Sequence, residues 1–175
     1  HTSTETVSSD KLAAGLMLLP KPQLITLHTG SRHPLSGGRL NENRVKVQMV
    51  DEIPEATVNP EEAYRLRVTA DTILIEAATD RGIYWAQQTL AQLVESSDGK
   101  SLPSLEITDW PAFRVRGFLH DVGRSYMSAD EIKKHIRLLS KFKINVFHWH
   151  LTENQGWRLE SRLFPQLNDS IHYER

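Results

Sequence analysis

Hydrophobic positions recur with two different periods along this chain. In the first hundred residues short alternating runs dominate. Gln23–His28 alternates Leu24, Thr26 and His28 against Ile25 and Leu27, and Val45, Val47 and Met49 alternate with Lys46 and Gln48. Such alternation predicts strands over 23–28 and 45–50. Tyr64–Thr69 and Thr72–Ala77 flank Ala70-Asp71 and predict a tight hairpin. The period then lengthens. Ile83, Ala86, Leu90 and Leu93 share one helical face, with Thr79 and Asp80 as N-cap candidates, so a helix is expected from about Arg81 to Val94. Lys11–Leu19 reads as a short helix ended by Leu-Pro-Lys-Pro. Stretches rich in Gly, Pro and Ser at 28–40, 51–60 and 96–103 read as loops. Leu105–Trp110 then leads through Asp-Trp-Pro into Phe113, where a boundary is expected.

The second half changes character. Phe113–Val122 is almost continuously apolar between its charges, the pattern of a buried parallel strand. Ser128 with Glu131 three residues on forms a capping box. The helix that follows should bury Ile132, Ile136, Leu139 and Phe142 and leave Lys133, Lys134, Arg137 and Lys141 in water. Ile144–Leu151 is the next strand. Strand, helix, strand makes a right-handed parallel crossover whose polar residues gather at the strands' C-terminal ends. The expected organisation is a flexible segment over 1–18, an α+β domain with a helix on an antiparallel sheet over 19–110, and the start of a second domain over 111–175.

Composition adds mainly exclusions. Of 175 residues, 39% are hydrophobic and 25% charged, so the chain should fold rather than remain disordered. Net charge is -1, from 21 basic and 22 acidic residues, which gives no case for a nucleic-acid partner. With no cysteine, disulfides and thiolate metal sites are ruled out. The longest apolar run, Leu16–Leu19, is far short of a membrane span. No signal peptide is visible, and the chain begins at His1, as after processing.

Candidate chemistry lies around the second strand pair. Arg116 precedes a strand expected to be buried. It either pairs with a framework carboxylate such as Asp121 or reaches into a cavity to hold a ligand's oxygens. Asp121 and Arg124 follow the same strand and could pair with each other as framework. His148 and His150 share one face of the next strand, where with His120 they could be weighed as zinc ligands. No convincing third ligand is close in sequence, and histidines hydrogen-bonding in a polar rim are the simpler reading. Thr152-Glu153-Asn154-Gln155-Gly156-Trp157-Arg158 concentrates a carboxylate, two amides and an indole. Carboxylates, amides and arginines suit vicinal hydroxyls, and aromatic faces suit a sugar's C–H face. Arg116, Trp149, Glu153 and Trp157 therefore fit a carbohydrate better than a phosphate. A solvated loop anchored by Trp157 is the plainer alternative.

These segments resemble a known family. RVRGFLHDVGRSYM, the helix after it, KINVFHWHLTENQGWRLE and FPQL are similar to the opening of the catalytic barrel of glycoside hydrolase family 20, the β-N-acetylhexosaminidases. LLPKPQLITL, EAYRLRV, ILIEAATDRGIYWAQQTLAQLV and LEITDWPAFRVRG resemble the small α+β domain that precedes it. The resemblance implies a truncated fold: the α+β domain, then the first β-α-β of a TIM (β/α)8 barrel, which takes about 250 residues when closed. It implies exo-hydrolysis of terminal non-reducing β-linked N-acetylglucosamine or N-acetylgalactosamine. Retention is substrate-assisted, with the acetamido oxygen as nucleophile, a departure from the two-carboxylate scheme.

No metal or organic cofactor is implied. The partner is an oligosaccharide or glycoconjugate ending in an N-acetylhexosamine. The resemblance makes Arg116 the residue binding the sugar's hydroxyls, with His150, Glu153 and Trp157 lining the pocket. Glu153 stands where Asp is frequent, and Asn154 where a second acid is. The catalytic Asp-Glu pair is expected C-terminal to Arg175. Asp51-Glu52 and Asp130-Glu131 lie in the wrong contexts, the latter in a helix's first turn. Set against the family's usual preceding domain, the stretch between Thr29 and Glu61 is short, as if an element were missing there. The 175 residues alone are thus expected to be inactive, the parent exported, and the open barrel edge to invite self-association. The alternatives are a non-catalytic sugar-binding or interaction module, and a metal-dependent barrel hydrolase using His148 and His150.

Overall fold

The computed structural model describes residues 16–168 and divides the chain into two compact units, His1–Arg114 and Val115–Arg175. The segment 1–18 expected to be flexible lies almost wholly outside the described residues, as does most of the short helix expected over 11–19. Leu16–Leu19 is not helical.

Among the described residues, the first unit packs one α-helix on a five-stranded sheet. Its strands are β1 (Leu24–Pro34), β2 (Val45–Met49), β3 (Tyr64–Val68), β4 (Ile73–Ala77) and β5 (Ser101–Asp109), ordered β1-β5-β3-β4-β2. The helix α1 (Asp80–Glu95) starts where Thr79 accepts the Gly82 N–H. In β3 and β4 alternate residues are buried, as their period-2 pattern dictates. Tyr64, Leu66, Val68, Ile73, Ile75 and Ala77 then join Trp85, Ala86, Leu90 and Leu93 of α1 in one core. Fully burying each leucine, isoleucine or valine among them is worth about 1.5–3 kcal/mol. Polar atoms in that core are paired: Tyr64 Oη lies 2.6 Å from Thr89 Oγ1 and 3.1 Å from Asp109 Oδ2, and Trp85 Nε1 donates to Glu62 at 2.6 Å. Burial, with the Asp109 carboxylate beside it, pushes the Tyr64 phenol well above its ordinary range. On the other face Arg65 pairs with Glu55 and Arg67 with Glu106.

Three expectations change here. The sheet is mixed rather than antiparallel, because β2 runs parallel to β4. The turn residues between consecutive strands do not encode that non-sequential pairing. Second, β1 continues through Thr29–Pro34, read as loop. A register shift between Leu27 and Arg32 absorbs Gly30, at φ 93°, and pairing with β5 resumes. Third, β5 begins inside the stretch read as a loop. Pro103 sits opposite Arg32, beyond the residues of β5 that pair with β3, so its missing N–H costs no second ladder.

The second unit is a β-α-β crossover: β6 (Gly117–Asp121), α2 (Ala129–Lys141) and β7 (Val146–His150), with β6 and β7 parallel and Asp121 beside His150. Ser128 and Glu131 form the expected capping box. Side-chain burial departs from expectation. β6 starts four residues later than Phe113, and Phe113, Val115 and Leu119 are exposed. α2 buries Ile132, while Ile136 and Phe142 are exposed. A two-stranded sheet covered by one helix has too few layers to bury both of its faces. Among the described residues no helix is long and apolar enough to cross a membrane.

Candidate functional site

The two parallel strands of the second unit end side by side, and their C-terminal ends deliver charge. Asp121 closes β6 and His150 closes β7 in register, with Asp121 Oδ2 3.7 Å from His150 Nδ1. Three residues past β6, Arg124 turns back. Its backbone N–H donates to Asp121 Oδ1 at 3.2 Å and its Nη1 to Oδ2 at 2.8 Å. Its Nη2 donates to Glu153 Oε2 at 3.1 Å. Glu153 belongs to a small hairpin beyond β7, β8 (Thr152–Glu153) with β9 (Gly156–Trp157). One guanidinium thus joins two carboxylates from different segments, with an imidazole between them: His150 Nε2 lies 3.8 Å from Glu153 Oε2 and donates to the Thr152 carbonyl at 2.8 Å.

Electrostatics and packing hold this group. Partial desolvation of Asp121 favours the neutral acid. It is outweighed by the Arg124 backbone N–H, the charges of His150 and Arg124, and the Gly123 N–H, which together hold the carboxyl below its usual value. Gly123 is required by close approach. A Cβ there would sit 2.8 Å from the Glu153 Cβ and 3.2 Å from Asp121 Oδ1. A Cβ on Gly156 would collide with the Gly123 carbonyl. Arg158 fastens the hairpin from behind, its Nε donating to the Val122 carbonyl at 2.9 Å and its guanidinium carbon 5.5 Å from the Tyr126 ring centre. Tyr126, Trp157, Arg158 and Asn168 line an open cleft of about 440 Å³.

The structure brings together some of the expected residues and separates others. His150, Glu153, Asp121 and Arg124 are gathered. Arg116 is not. It lies before β6, at the N-terminal end of the strand pair, where its Nε donates to the Lys143 carbonyl at 2.6 Å and its backbone N–H to Asn145 Oδ1 at 2.9 Å. The five residues of β6 put roughly 17 Å of strand between it and Asp121. Neither Asp121 nor a pocket shared with Glu153 is within its reach. The arginine that stands with Asp121 and Glu153 at that end is Arg124. The signal that finds it is position after the strand rather than before it, since only the C-terminal ends converge on the loops.

His120 is likewise apart from His148 and His150. Its ring is within 6.4 Å of Phe118 and Phe147 and 5.7 Å from His135 of α2, on the helix side of the sheet. His148 and His150 alternate to the opposite face with Asp121. Three histidines on two faces cannot share one ion, and among the described residues no group of three or more His, Cys, Asp or Glu is placed to hold a metal. Tyr126 and Arg158, which wall the cleft, were not singled out in sequence as ligand-facing.

Two family models match the chain: "Glycosyl hydrolase family 20, domain 2" over residues 17–110 and "Glycosyl hydrolase family 20, catalytic domain" over 113–175. A beta-hexosaminidase of Porphyromonas gingivalis is 44% identical over 117 residues, 62% of this chain and 15% of that protein. The N,N'-diacetylchitobiase of Vibrio harveyi is 38% identical over 107 residues, 61% of this chain and 12% of that protein. The chain therefore spans less than a fifth of the length of these curated relatives. The crystal structure of a Vibrio harveyi family-20 exo-β-N-acetylglucosaminidase in complex with N-acetylglucosamine superposes with a TM-score of 0.73 at 28% identity, covering 96% of this chain and 29% of that one. With the two models together covering residues 17–110 and 113–175, the chain belongs to glycosyl hydrolase family 20.

Proposed function

We propose that this chain supplies the N-terminal α+β domain and the first β-α-β of the catalytic barrel of an exo-acting β-N-acetylhexosaminidase. The observation that carries the reading is the Arg124 guanidinium bridging Asp121 and Glu153 at the C-terminal ends of two parallel strands. Barrel enzymes assemble their sites at that end. The side chain of Arg124 is 59% exposed, which leaves its remaining donors open to a ligand. A guanidinium flanked by carboxylates offers donors and acceptors at the spacing of two neighbouring sugar hydroxyls, and such charge-assisted hydrogen bonds are directional. Arg124 and Glu153 grip the terminal N-acetylhexosamine, His150 and Asp121 orient them, and Trp157 lines the same wall. Arg116 is a framework residue.

The chemical step is substrate-assisted hydrolysis with retention. The acetamido oxygen attacks the anomeric carbon, an acid protonates the departing oxygen, and water then opens the cyclic intermediate. This chain's wall holds the ring while that happens. Its own Asp-Glu dipeptides do not serve. Glu131 is committed to capping α2 through the Ser128 N–H and hydroxyl, Asp130 pairs with Lys133, and Asp51-Glu52 belongs to the other unit. The catalytic pair is contributed from outside residues 1–175.

Calorimetry with N-acetylglucosamine tests the wall. Binding that disappears with Glu153→Gln supports it, and absence of binding to a folded protein refutes it. Turnover of a chromogenic N-acetylglucosaminide by the 175 residues alone would refute the placement of the catalytic pair. An exported location is part of the proposal and is checked by cell fractionation. Exposed Leu119, Val146 and Trp149 on the β6–β7 pair support self-association through that sheet, which sedimentation as a concentration-independent monomer would exclude.

A further inference from the structure

We infer that the free edge of β2 is a docking strand for a second copy of this chain, paired antiparallel about a two-fold axis at Val47. The surface lies in the first unit and does not depend on the sugar wall of the second. β1 and β2 are the two edges of the five-stranded sheet. β1 carries two devices that blunt an exposed edge, a register shift near Gly30 and a proline, Pro34, at its end. β2, Val45-Lys46-Val47-Gln48-Met49, has neither proline nor glycine, keeps an unbroken register with β4, and carries one charge, Lys46.

Both the side chains and the backbone of that strand are open. In register, Val45, Val47 and Met49 stand beside Ile73, Ile75 and Ala77, so they continue the apolar face on which α1 packs. Five strands span about 19 Å, and one helix about 10 Å across cannot cover them. α1 lies over β3 and β4, and Val47 is left 49% and Met49 55% exposed. The Val50 N–H donates to the Ala77 carbonyl. Peptide groups alternate along a strand, so Lys46 and Gln48 also turn theirs toward β4, while Val45, Val47 and Met49 turn theirs to the open edge. A helix laid on this edge would cover the side chains and leave those N–H and C=O groups unused. A strand engages both. Charge then selects the direction. A second β2 in parallel register would set Lys46 against Lys46, and like charges directly opposite repel. Antiparallel pairing about Val47 sets Lys46 opposite Gln48, Val45 opposite Met49 and Val47 opposite itself. It also brings Arg44, just before the strand, diagonal to Asp51 of the other copy, just after it. The pairs made by Val45, Val47 and Met49 each exchange both N–H···O bonds, and the contact closes on itself as an isologous dimer.

The test is sedimentation of the 175-residue protein across a range of concentrations, with two charge variants at the axis. The parent should form a concentration-dependent dimer. Val47→Glu and Val47→Lys each place like charges face to face, and each alone should weaken the dimer at least about tenfold. An equimolar mixture of the two variants should restore it, because the axis then pairs a carboxylate with an ammonium. Only a residue that faces its own copy behaves in this way. Amide exchange in the parent supplies a readout that needs no variant. The N–H groups of Val45, Val47 and Met49 should gain protection as the dimer forms, while those of Lys46 and Gln48, already bonded to β4, should not change. A parent that stays monomeric at every concentration overturns the inference, and so does a dimer that leaves the Val45, Val47 and Met49 amides unprotected. A dimer untouched by Val47→Glu also overturns it and moves the association to another surface, such as the β6–β7 pair. Folded variants that fail to rescue each other when mixed overturn the two-fold pairing at Val47.

Discussion

Arg124 Nη2 stands 3.1 Å from Glu153 Oε2 while the same guanidinium holds Asp121 at 2.8 Å, so a single side chain fixes the loop after β6 to the hairpin after β7. With the Arg124 side chain 59% exposed, the bridge adds little to stability. Its value is geometric. Arg124→Gln should leave the fold intact and weaken N-acetylglucosamine binding at least tenfold. Arg124→Lys should recover only part of that, because an ammonium cannot make the planar two-sided contact. Calorimetry on the three proteins decides it, and equal affinities would remove Arg124 from the site.

The Asp121 carboxyl titrates below the ordinary carboxylate range of about 3.9. A depressed folded-state value means that Asp121 contributes stability above its unfolded pKa and loses that contribution as pH falls through the folded one. Carbon NMR of the Asp121 carboxyl should show the low midpoint, and Arg124→Gln should raise it. An unchanged midpoint in that variant would show the 2.8 Å contact to be unimportant.

Much of this was readable from sequence where a local rule decides. The capping box of α2, the Thr79 cap of α1 and the alternation in β3 and β4 each depend on residues within four positions of one another. What failed depends on distant partners. The parallel pairing of β2 with β4 has no local signal. Nor does the resumption of β1 after Gly30, since only the neighbouring β5 makes that stretch a strand. Arg116 lies apart from the Asp121 group for a different reason: it stands at the start of β6, whereas barrel enzymes gather polar site residues at the strands' C-terminal ends. Arg124, eight residues later, carried that positional information.

Arg116 has a measurable task of its own. Its Nε donates to the Lys143 carbonyl, and its carbonyl accepts the Asn145 and Val146 N–H groups, which ties the turn between α2 and β7 to the start of β6. Lys143 needs that support, since it is 6% exposed and holds φ 59°, uncommon for a non-glycine residue. Arg116→Ala removes a charged donor and should destabilise the second unit by about 1.5–3 kcal/mol with sugar affinity unchanged. Denaturant unfolding beside calorimetry separates this from the reading that makes Arg116 a ligand for hydroxyls, which requires affinity to fall.

Gly82 sets how near α1 comes to its sheet. A Cβ there would collide with the Ala63 carbonyl and lie 2.8 Å from the Ala77 Cβ, and neither wall is a flexible side chain that could yield. Gly82→Ala raises helix propensity by about 1 kcal/mol, yet it should lower the stability of the first unit by a net 1–3 kcal/mol, because overpacking wins where backbone is the neighbour. A rise in melting temperature would contradict the close approach.

Gly123 applies the same logic to the site. Its absent Cβ leaves room for the Glu153 Cβ and for Asp121 Oδ1. Gly123→Ala keeps every charge in place and adds one methyl group, so any loss of sugar binding must come through position. The methyl pushes the hairpin carrying Glu153 away from Asp121, and Arg124 cannot then reach both carboxylates. Binding of N-acetylglucosamine should weaken about tenfold or more, with the Asp121 midpoint rising as the Gly123 and Arg124 N–H groups lose their alignment. Changes in both readouts together would locate the effect in the bridge. A loss of affinity with the Asp121 midpoint unmoved would instead mean that the methyl displaces Glu153 alone, and that the bridge to Asp121 is not what sets its place.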